Sequence, residues 1–295
     1  MRIFLAYISV ILIWATTPLA IKWSGEGPGF LFGATGRMTV GVVCVFFVLG
    51  LLRKRLVWNR KTLQAYLAVA VQIYGSMLAV YWAAQFIPSG WISVLFGLSP
   101  LMTALIAAIW LGERSLTPGN LLAYVMGVGG LFVMFGSALQ LGHDAALGVA
   151  GMLVSVFLQS TSAVLIKRVN TNVSALSQVA GGLLLAVPAY LITWWAVDGH
   201  WPAELPVTSF ASIIYLGVIA TTIGFVLYYY LLIHLAPARV ALIALVSPVM
   251  ALMIGHLINH EPLTMKVMMG TSLILAALLM HEFFDRLVVF RKARL

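Results

Sequence analysis

The chain has 295 residues, of which 62% are hydrophobic and only 8% are charged. Soluble domains carry roughly 25% charged residues, so this composition excludes an ordinary soluble protein and predicts an integral membrane protein. The formal net charge of +9 would suggest nucleic acid binding in a soluble chain. In a membrane protein the position of each charge matters more than the sum. We therefore expect the lipid bilayer, and no nucleic acid, as a partner.

Ten segments are long and apolar enough to cross a bilayer, because a crossing helix needs about 20 mostly apolar residues. Their apolar residues lie all round each helix rather than alternating, which favours helices over barrel strands. The predicted fold is an all-α integral membrane protein with ten transmembrane helices. The segments are 3–21, 30–52, 63–84, 90–111, 118–137, 147–166, 174–196, 210–232, 238–258 and 265–284.

Basic residues collect in alternate connections between these segments. Cytoplasmic connections of membrane proteins carry an excess of Lys and Arg. If the N-terminus is cytoplasmic, the inside connections and the two ends hold all of the 17 basic residues except Lys22, Arg37 and Lys266. The charge pattern therefore predicts that both termini are cytoplasmic.

The two halves of the chain carry the same signature at an offset of 148 residues. In each, an apolar run contains a Ser-Pro pair and ends at a glutamate. Division near residues 138–146 leaves five segments on each side, and an odd number forces the second copy to enter the membrane from the opposite face. We therefore predict two inverted five-helix repeats, at 1–140 and 147–284, and a basic cytoplasmic tail at 285–295. The signature residues are Ser99, Pro100 and Glu113 in the first half, and Ser247, Pro248 and Glu261 in the second.

Other positions also correspond between the halves. The first and sixth segments each end in a hydroxyl pair followed by a lysine, and the third and eighth each have a tyrosine-rich middle. These correspondences support the repeat. The residues are Thr16, Thr17 and Lys22 with Thr161, Ser162 and Lys167, and Tyr74 and Tyr81 with Tyr228 and Tyr229.

Three motifs together resemble the EamA-type family of the drug/metabolite transporter (DMT) superfamily. They are W-x-T-x-P-x-x-x-K in residues 14–22, S-P-x-x-x-x-x-x-A-x-x-x-L-G-E-R in residues 99–114, and the echo of the second motif that ends at His260-Glu261. The resemblance covers essentially the whole chain. It implies ten helices in two inverted repeats and an exporter of small metabolites, such as amino acids, their derivatives or amphiphilic drugs, in the bacterial inner membrane. One departure is the polar sequence 259–261, which stands where the first half has 111–113.

The two prolines of the repeat are the first candidates for the transport pathway. Pro100 and Pro248 each remove a backbone donor in mid-helix, which frees the carbonyls of Phe96 and Ala244. Free carbonyls inside a membrane are tolerated beside protein or a wet cavity. We expect the two helices to bend and line the pathway. The alternative is a static kink, in which the hydroxyl of the preceding serine satisfies the free carbonyl.

Arg37 is the base that lies well inside a predicted helix. A mid-membrane arginine costs at least ~2.5 kcal/mol on insertion scales, so it needs a partner or water. An anionic group of the substrate is one candidate, and pairing with Glu26 or extension to the outer surface is the alternative. Lys22 is expected to attract a carboxylate at the outer mouth, with extension to the interface as the alternative.

The remaining candidates are polar or aromatic side chains within apolar helices. A polar group in hydrocarbon needs a partner and therefore faces the bundle interior. Aromatic rings offer flat, partly polar surfaces to an amphiphilic metabolite. Hydrogen bonding or packing between helices is the alternative for each. The pathway candidates are Trp14, Thr16, Thr17, Tyr74, Tyr81, Gln159, Thr161, Tyr228 and Tyr229. Lys22, Glu113, Lys167 and Glu261 are candidates for gates or helix-end anchors, or for proton coupling.

Other classes of function are disfavoured by missing motifs. The chain has no G-x-x-x-x-G-K-[ST] phosphate loop, no H-E-x-x-H pair and no G-x-S-x-G turn. We therefore expect no ATP hydrolysis, no enzyme activity, no cofactor and no metal, and a small-molecule substrate that crosses by secondary active transport with alternating access. A membrane-embedded enzyme and a channel or receptor remain the alternatives. Glycines at 127, 129, 130 and 136 predict close packing of the fifth helix, against another helix or in a homodimer.

Overall fold

The computed structural model describes residues 2–112, 118–235 and 237–292. Within these residues the protein is helical and contains no strand. Ten helices are long and apolar enough to cross a membrane, which confirms the ten predicted segments. The helices are α1 Arg2–Gly25, α2 Phe30–Leu51, α3 Arg60–Ala83, α4 Ser89–Leu111, α5 Pro118–Leu141, α6 His143–Val169, α7 Ala175–Val197, α8 207–234, α9 Pro237–Asn259 and α10 Met265–Lys292.

Local sequence explains where several helices begin and end. At the start of α3, the Asn59 side chain accepts a hydrogen bond from the Thr62 amide at 2.9 Å, and the Thr62 hydroxyl accepts one from the Asn59 amide at 2.9 Å. This reciprocal arrangement satisfies two amides that a helix start leaves unpaired. Two other helices end at a residue with a left-handed backbone. Helix α4 ends at Gly112, and α6 ends at Asn170. Glycine and asparagine adopt this conformation more readily than other residues.

The two ends of the helix bundle differ in charge. One end, which we call the acidic face, holds the connections after α1, α3, α5, α7 and α9. Trp23 at the end of α1 donates from Nε1 to Oδ1 of Asn259 at the end of α9, over 3.1 Å. The opposite end, which we call the basic face, includes the connection 52–59. The acidic residues that define the acidic face are Glu26, Asp144, Asp198, Glu204 and Glu261.

Helix contacts repeat between the first five helices and the last five. Helix α1 packs against α8 and α9, and its counterpart α6 packs against α3 and α4. Helix α3 packs against α7, and its counterpart α8 packs against α2. The pairs α2–α7, α4–α9 and α5–α10 each join a helix to its own counterpart. If the two halves are exchanged, each of these contacts becomes either itself or another contact of the set. A two-fold relation between the halves requires this pattern.

The proline-bearing helices of the two halves do not match. Helix α4 is interrupted at residues 97–98, and Pro100 is the second residue of the segment that follows. The predicted bend of this helix therefore lies just before Pro100 rather than at it, and the predicted role of α4 in lining the pathway stays a prediction. A proline in the first turn of a helix removes no intrahelical hydrogen bond, so the break precedes the proline rather than being caused by it at Phe96.

Helix α9 runs through Pro248 without interruption, in contrast to α4. The Ser247 hydroxyl donates to the Ile243 carbonyl at 2.7 Å. The carbonyl that the proline was predicted to free belongs to Ala244, so this hydroxyl binds the carbonyl one residue earlier. The alternative in which the serine satisfies the free carbonyl of Ala244 is therefore wrong.

Two helices contain π-helical segments that the sequence did not predict. They are Val71–Ser76 within α3 and Tyr215–Ile223 within α8. Adding the repeat offset of 148 residues to the first segment gives positions 219–224, which overlap the second segment. Wider helical turns of this kind are rare and are frequently found at functional sites. The third and eighth helices are thus related by backbone conformation as well as by composition.

The glycines of α5 pack inside the chain. A Cβ atom at Gly127 would lie 2.8 Å from Leu101, and one at Gly130 would lie 2.8 Å from the Gly270 carbonyl oxygen. These glycines allow close approach of α5 to α4 and α10, so they do not form a free surface for a second copy. Gly129 and Gly136 face no described atom within 4 Å. The predicted homodimer stays a prediction.

Candidate functional site

Polar groups from both halves meet at the acidic face. Lys22 Nζ lies 3.6 Å from Glu261 Oε1, and Asn259 Nδ2 donates to the same oxygen at 2.9 Å. Glu261 Oε2 accepts from the Ser89 hydroxyl at 2.9 Å and from the Gly90 amide at 3.4 Å. We call these five residues the Glu261 network. It joins the ends of α1 and α9 to the beginning of α4.

The location of Glu261 explains why its carboxylate is stable there. Its side chain is 8% exposed, and it faces the first amides of α4, which have no partner within their own helix. Negative charge is favoured at such a helix start. Lys22 also donates to the Ile87 carbonyl at 3.3 Å. The space is tight, because a Cβ atom on Gly255 would overlap Oε2 of Glu261.

The sequence identified two members of this network but did not pair them. Lys22 was expected to attract a carboxylate, and the structure shows that Glu261 of the other half supplies one. The roles predicted for these residues as gates or helix-end anchors stay predictions. Lys167 is exposed at the end of α6, and Glu113 lies outside the described residues. Ser89 and Asn259 were missed, although each adjoins a helix end.

A second polar cluster lies deeper in the bundle, around Arg37 of α2. This side chain is only 8% exposed, and its Nε donates to the Thr221 hydroxyl at 3.3 Å. Pairing with Glu26 is absent among the described contacts, and the burial of Arg37 excludes extension to the surface. The sequence alternatives for Arg37 are therefore wrong. Its Nη1 atom is buried and has no hydrogen-bond partner among the described residues.

Tyr190 of α7 forms the other side of this cluster. Its hydroxyl donates to the carbonyls of Ile73 at 2.9 Å and Tyr74 at 3.2 Å, both within the π-helical segment of α3. The rings of Tyr74 and Tyr190 lie 5.1 Å apart, and the Tyr74 hydroxyl shares a 2.6 Å hydrogen bond with Thr193. Tyr190 was not predicted as a site residue. A tyrosine within a membrane-crossing helix could have indicated it.

The two sides of the cluster follow the repeat. Arg37 of α2 contacts the π-helical segment of α8, and Tyr190 of the corresponding helix α7 contacts the π-helical segment of α3. Tyr81 and Tyr190 pack in one hydrophobic cluster with Met38, the residue that follows Arg37 on α2. Tyr81 is fully buried, and its own hydroxyl has no described partner. We call Arg37, Tyr74, Tyr81, Tyr190, Thr193 and Thr221 the Arg37 cluster.

Other predicted residues meet at the interface between α1 and α8. The Thr16 and Tyr215 hydroxyls share a 2.6 Å hydrogen bond, and the rings of Trp14 and Tyr228 lie 5.0 Å apart. Thr17 instead donates to the Ile13 carbonyl of its own helix, at 2.6 Å. The structure thus brings these predicted residues of α1 and α8 together, and their role in the pathway stays a prediction. The side chain of Tyr229 lies outside the described part of the chain.

Further predicted residues meet at the interface between α4 and α6, which corresponds to the interface between α1 and α9. Gln159 Nε2 donates to the Ser99 hydroxyl at 3.5 Å, and the Ser160 hydroxyl donates to the Ser99 carbonyl at 3.1 Å. These bonds fall beside the interruption of α4. The Thr161 hydroxyl is buried without a described partner. Ser99 and Gln159 therefore have partners on a neighbouring helix, whereas Thr161 has no described partner, and their role in the pathway stays a prediction.

Two cavities adjoin these groups. The first, of about 200 Å³, lies between α1, α2 and α3, and its wall includes Lys22, Glu26, Tyr81 and Gln85. The second, of about 330 Å³, lies between α1, α8 and α9, and it is almost wholly apolar. The first cavity thus connects the Glu261 network to the Arg37 cluster through Tyr81. Among the described residues, no group of three His, Cys, Asp or Glu side chains is placed to hold a metal ion.

Ten membrane-length helices, matched contacts between two sets of five, and polar clusters at the interfaces between the sets define a multi-pass membrane protein with two similar halves. The model of the EamA-like transporter family matches this chain twice, over residues 1–136 and 146–281. The chain belongs to this family. It is therefore a transporter rather than an enzyme, as predicted from the sequence.

Relatives with assigned names are transporters as well. The chain is 26% identical over 285 residues to the uncharacterized transporter YoaV of Bacillus subtilis, covering 96% of this chain and 97% of that protein. It is 27% identical over 250 residues to the "Probable terminal-alkyne amino-acid exporter" of Streptantibioticus cattleyicolor, with 83% and 81% covered. It is 26% identical over 204 residues to the "Probable amino-acid metabolite efflux pump" of Escherichia coli, with 66% and 68% covered.

A solved crystal structure has the same fold. It matches 97% of this chain and 99% of its own, with a TM-score of 0.62 and 19% sequence identity. The likeness extends over all ten helices, since it covers nearly the whole chain. At this identity it supports the architecture alone.

Proposed function

We propose that this chain exports small metabolites, amino acids or their derivatives and amphiphilic compounds, across the bacterial inner membrane by alternating access. In this proposal the two halves are inverted repeats, and the substrate passes between them. The matched helix contacts and the double family match support the repeat. The names of the two amino-acid exporters among the relatives support the substrate class and the direction.

The observation that carries the proposal is the Glu261 network. It ties the end of α1 in the first half to the end of α9 in the second half, and it adds the start of α4. A carrier that works by alternating access must close one face while the other is open. A buried ion pair between the halves at one face is the kind of contact that must break when that face opens.

We propose a matching pair of charges at the basic face. Under the repeat the counterparts of Lys22 and Glu261 are Lys167 and Glu113, whereas Ser89 corresponds to Pro237, which has no side-chain donor. We propose that these groups come together when the acidic face opens. The charge pattern of the connections supports an acidic face outside the cell, with both termini in the cytoplasm. Lys22 and Glu261 then control the outer gate.

The pathway in this proposal follows the helices that carry the predicted residues. Helices α1 and α6 correspond to each other, and each presents polar or aromatic groups to a helix of the opposite half. Proton coupling is the driving force that we propose to test first, because Glu261 is a carboxylate that must change partners during the cycle. The residues proposed to face the substrate are Trp14, Thr16, Tyr74, Tyr81, Ser99, Gln159, Thr161 and Tyr228.

The test uses the full chain reconstituted in liposomes. Labelled leucine and phenylalanine are supplied outside, and each vesicle is loaded with the same unlabelled amino acid. A carrier should give saturable uptake that accelerates when the inside is loaded, and a pH gradient should drive accumulation if protons are coupled. Uptake that rises linearly with concentration would indicate a channel, and chemical conversion of the amino acid would indicate an enzyme. Liposomes without protein are the control.

A further inference from the structure

The Arg37 cluster contains a buried positive charge that lacks an acidic partner. Arg37 is 8% exposed, and among the described residues no carboxylate lies within 4 Å of its guanidinium. A buried charge without a partner is strongly destabilising, and in a membrane it is retained mainly for function. The one hydrogen bond described for Arg37, to the Thr221 hydroxyl, brings no negative charge.

Two hydrogen-bond donors in this cluster are buried and unused. They are Nη1 of Arg37 and the hydroxyl of Tyr81, which is 1% exposed. Helix α2, which carries Arg37, packs against the part of α3, Met77–Ala83, that carries Tyr81. Buried donors are nearly always paired in folded proteins, so two unpaired donors on packed helices are available to an acceptor from a bound molecule. A single anionic acceptor would satisfy both donors and would also balance the charge.

The surroundings of these donors restrict the chemistry of the acceptor. The rings of Tyr74, Tyr81 and Tyr190 provide apolar surface in the same hydrophobic cluster as Met38, the residue that follows Arg37. Guanidinium and carboxylate groups form short, strong hydrogen bonds with matching geometry. Among the described residues, Arg37 is the one cation of the Arg37 cluster, which suits a monoanion better than a phosphate dianion. The cavity of about 200 Å³ between α1, α2 and α3 has Tyr81 in its wall and reaches Lys22 near the acidic face.

We propose that the Arg37 cluster binds the carboxylate of the transported molecule, and that the preferred substrates are amphiphilic monocarboxylates such as amino acids with apolar side chains. This inference rests on the proposed transport function. Arg37 supplies the charge, and Tyr81 supplies a second hydrogen bond. Tyr190 and Thr221 are positioning residues, because they hold the π-helical segments and the guanidinium in place.

The experiment compares compounds that differ only in the carboxylate. Uptake into liposomes is measured for phenylalanine and phenylalaninamide, and for leucine and leucinamide, with wild type, Arg37→Gln and Tyr81→Phe. We expect wild type to prefer both acids. Arg37→Gln should raise the half-saturating concentration of the acids by about tenfold or more, and Tyr81→Phe by about threefold to tenfold, with the amides unchanged. Arg55→Gln and Tyr66→Phe are the control variants, because they make the same two substitutions near the basic face. Both should keep the preference of wild type for the acids over the amides.

The outcomes separate this inference from the proposed function. Saturable uptake of amides as efficient as that of acids would overturn the carboxylate site and still support transport. Equal losses for acid and amide in both variants would assign Arg37 and Tyr81 a structural role and would also overturn it. If wild type carries no member of the panel in a saturable way, the proposed function fails and this inference fails with it. If Arg37→Gln does not fold, Tyr81→Phe decides, because its hydroxyl has no described partner to lose.

Discussion

Lys22 and Glu261 come from opposite halves of the chain, yet their Nζ and Oε1 atoms lie 3.6 Å apart. The pair is partly protected from water, since the lysine side chain is 26% exposed and the glutamate is 8% exposed. Exposed ion pairs contribute little to stability, but the loss of one partner of a buried pair leaves an uncompensated charge. If the pair holds the acidic face closed, as proposed, loss of either partner should shift the balance towards the open form of this face.

Neutralising Glu261 should open the acidic face. In Glu261→Gln the amide keeps the size of the side chain but no longer attracts Lys22, and it presents a donor to the first amides of α4. A cysteine at Ala84, a 2% exposed residue in the wall of the cavity beside Lys22, reports the change. In a background of Cys44→Ser, we expect labelling by a membrane-impermeant maleimide to rise several-fold.

The control for this measurement is Glu204→Gln, which makes the same change at an exposed position of the same face. It should leave the labelling at position 84 unchanged. Equal labelling in Glu261→Gln and in the parent protein would contradict a gating role for the carboxylate, and Glu261 would then be a helix-end anchor only.

The space beside the glutamate gives a second prediction. A methyl group in Gly255→Ala would overlap Oε2 of Glu261, so the carboxylate must move away from Ser89 or the helices must separate. We expect a loss of about 1–3 kcal/mol in the stability of the closed form, as for other overpacked sites. The labelling assay at position 84 should respond as it does for Glu261→Gln. Gly129→Ala, where no described atom lies within 4 Å, should have no such effect.

The π-helical segment of α3 should depend on Tyr190. In Tyr190→Phe the carbonyls of Ile73 and Tyr74 lose a buried donor, so the protein should lose about 1–3 kcal/mol of stability. Thermal unfolding in detergent measures this loss. Tyr81→Phe is the matched control, because its hydroxyl is equally buried but has no described partner. Equal melting temperatures for the two variants would show that the hydrogen bonds of Tyr190 do not stabilise the segment.

Contact between α5 and α10 should tolerate no added methyl group at Gly130. A Cβ atom there would lie 2.8 Å from the Gly270 carbonyl oxygen and 2.8 Å from Ile274. We expect Gly130→Ala to lower stability by about 1–3 kcal/mol. Gly136→Ala, on the open side of the same helix, should instead be neutral or stabilise by roughly 0.5–1 kcal/mol, since alanine is the better helix former. Thermal unfolding of both variants tests the difference in sign.

The ten helices and their membrane environment were predictable because each is a local property. A run of about 20 apolar residues must bury its backbone polar groups in a helix wherever it lies in the bundle. The internal repeat was visible for a similar reason, since a duplicated segment keeps its order and spacing. The correspondence of the first and sixth helices, and of the third and eighth, is matched by their contacts in the structure.

The candidate site was only partly predictable. Arg37 stood out because a charge in an apolar helix is unusual. The sequence left a substrate anion, Glu26 and the outer surface open as its surroundings, and the structure places it against Thr221. Tyr190 was overlooked because a tyrosine among apolar residues has several ordinary explanations. The π-helical segments have no sequence signature of their own. They depend on hydrogen bonds from neighbouring helices, such as the one that Tyr190 donates to Ile73.

The sequence by itself determined that this protein is a ten-helix membrane transporter with two similar halves, since hydrophobic length, charge bias and duplication are properties of the chain alone. The tertiary structure decided which polar groups meet. Lys22 and Glu261 are both candidate helix-end residues in the sequence, but the sequence does not pair them. Only the packing of α1 against α9 brings them together. In a bilayer most surfaces are equally apolar, so side-chain fit and polar contacts select helix partners rather than hydrophobicity. No local sequence pattern therefore predicts which helices pack together.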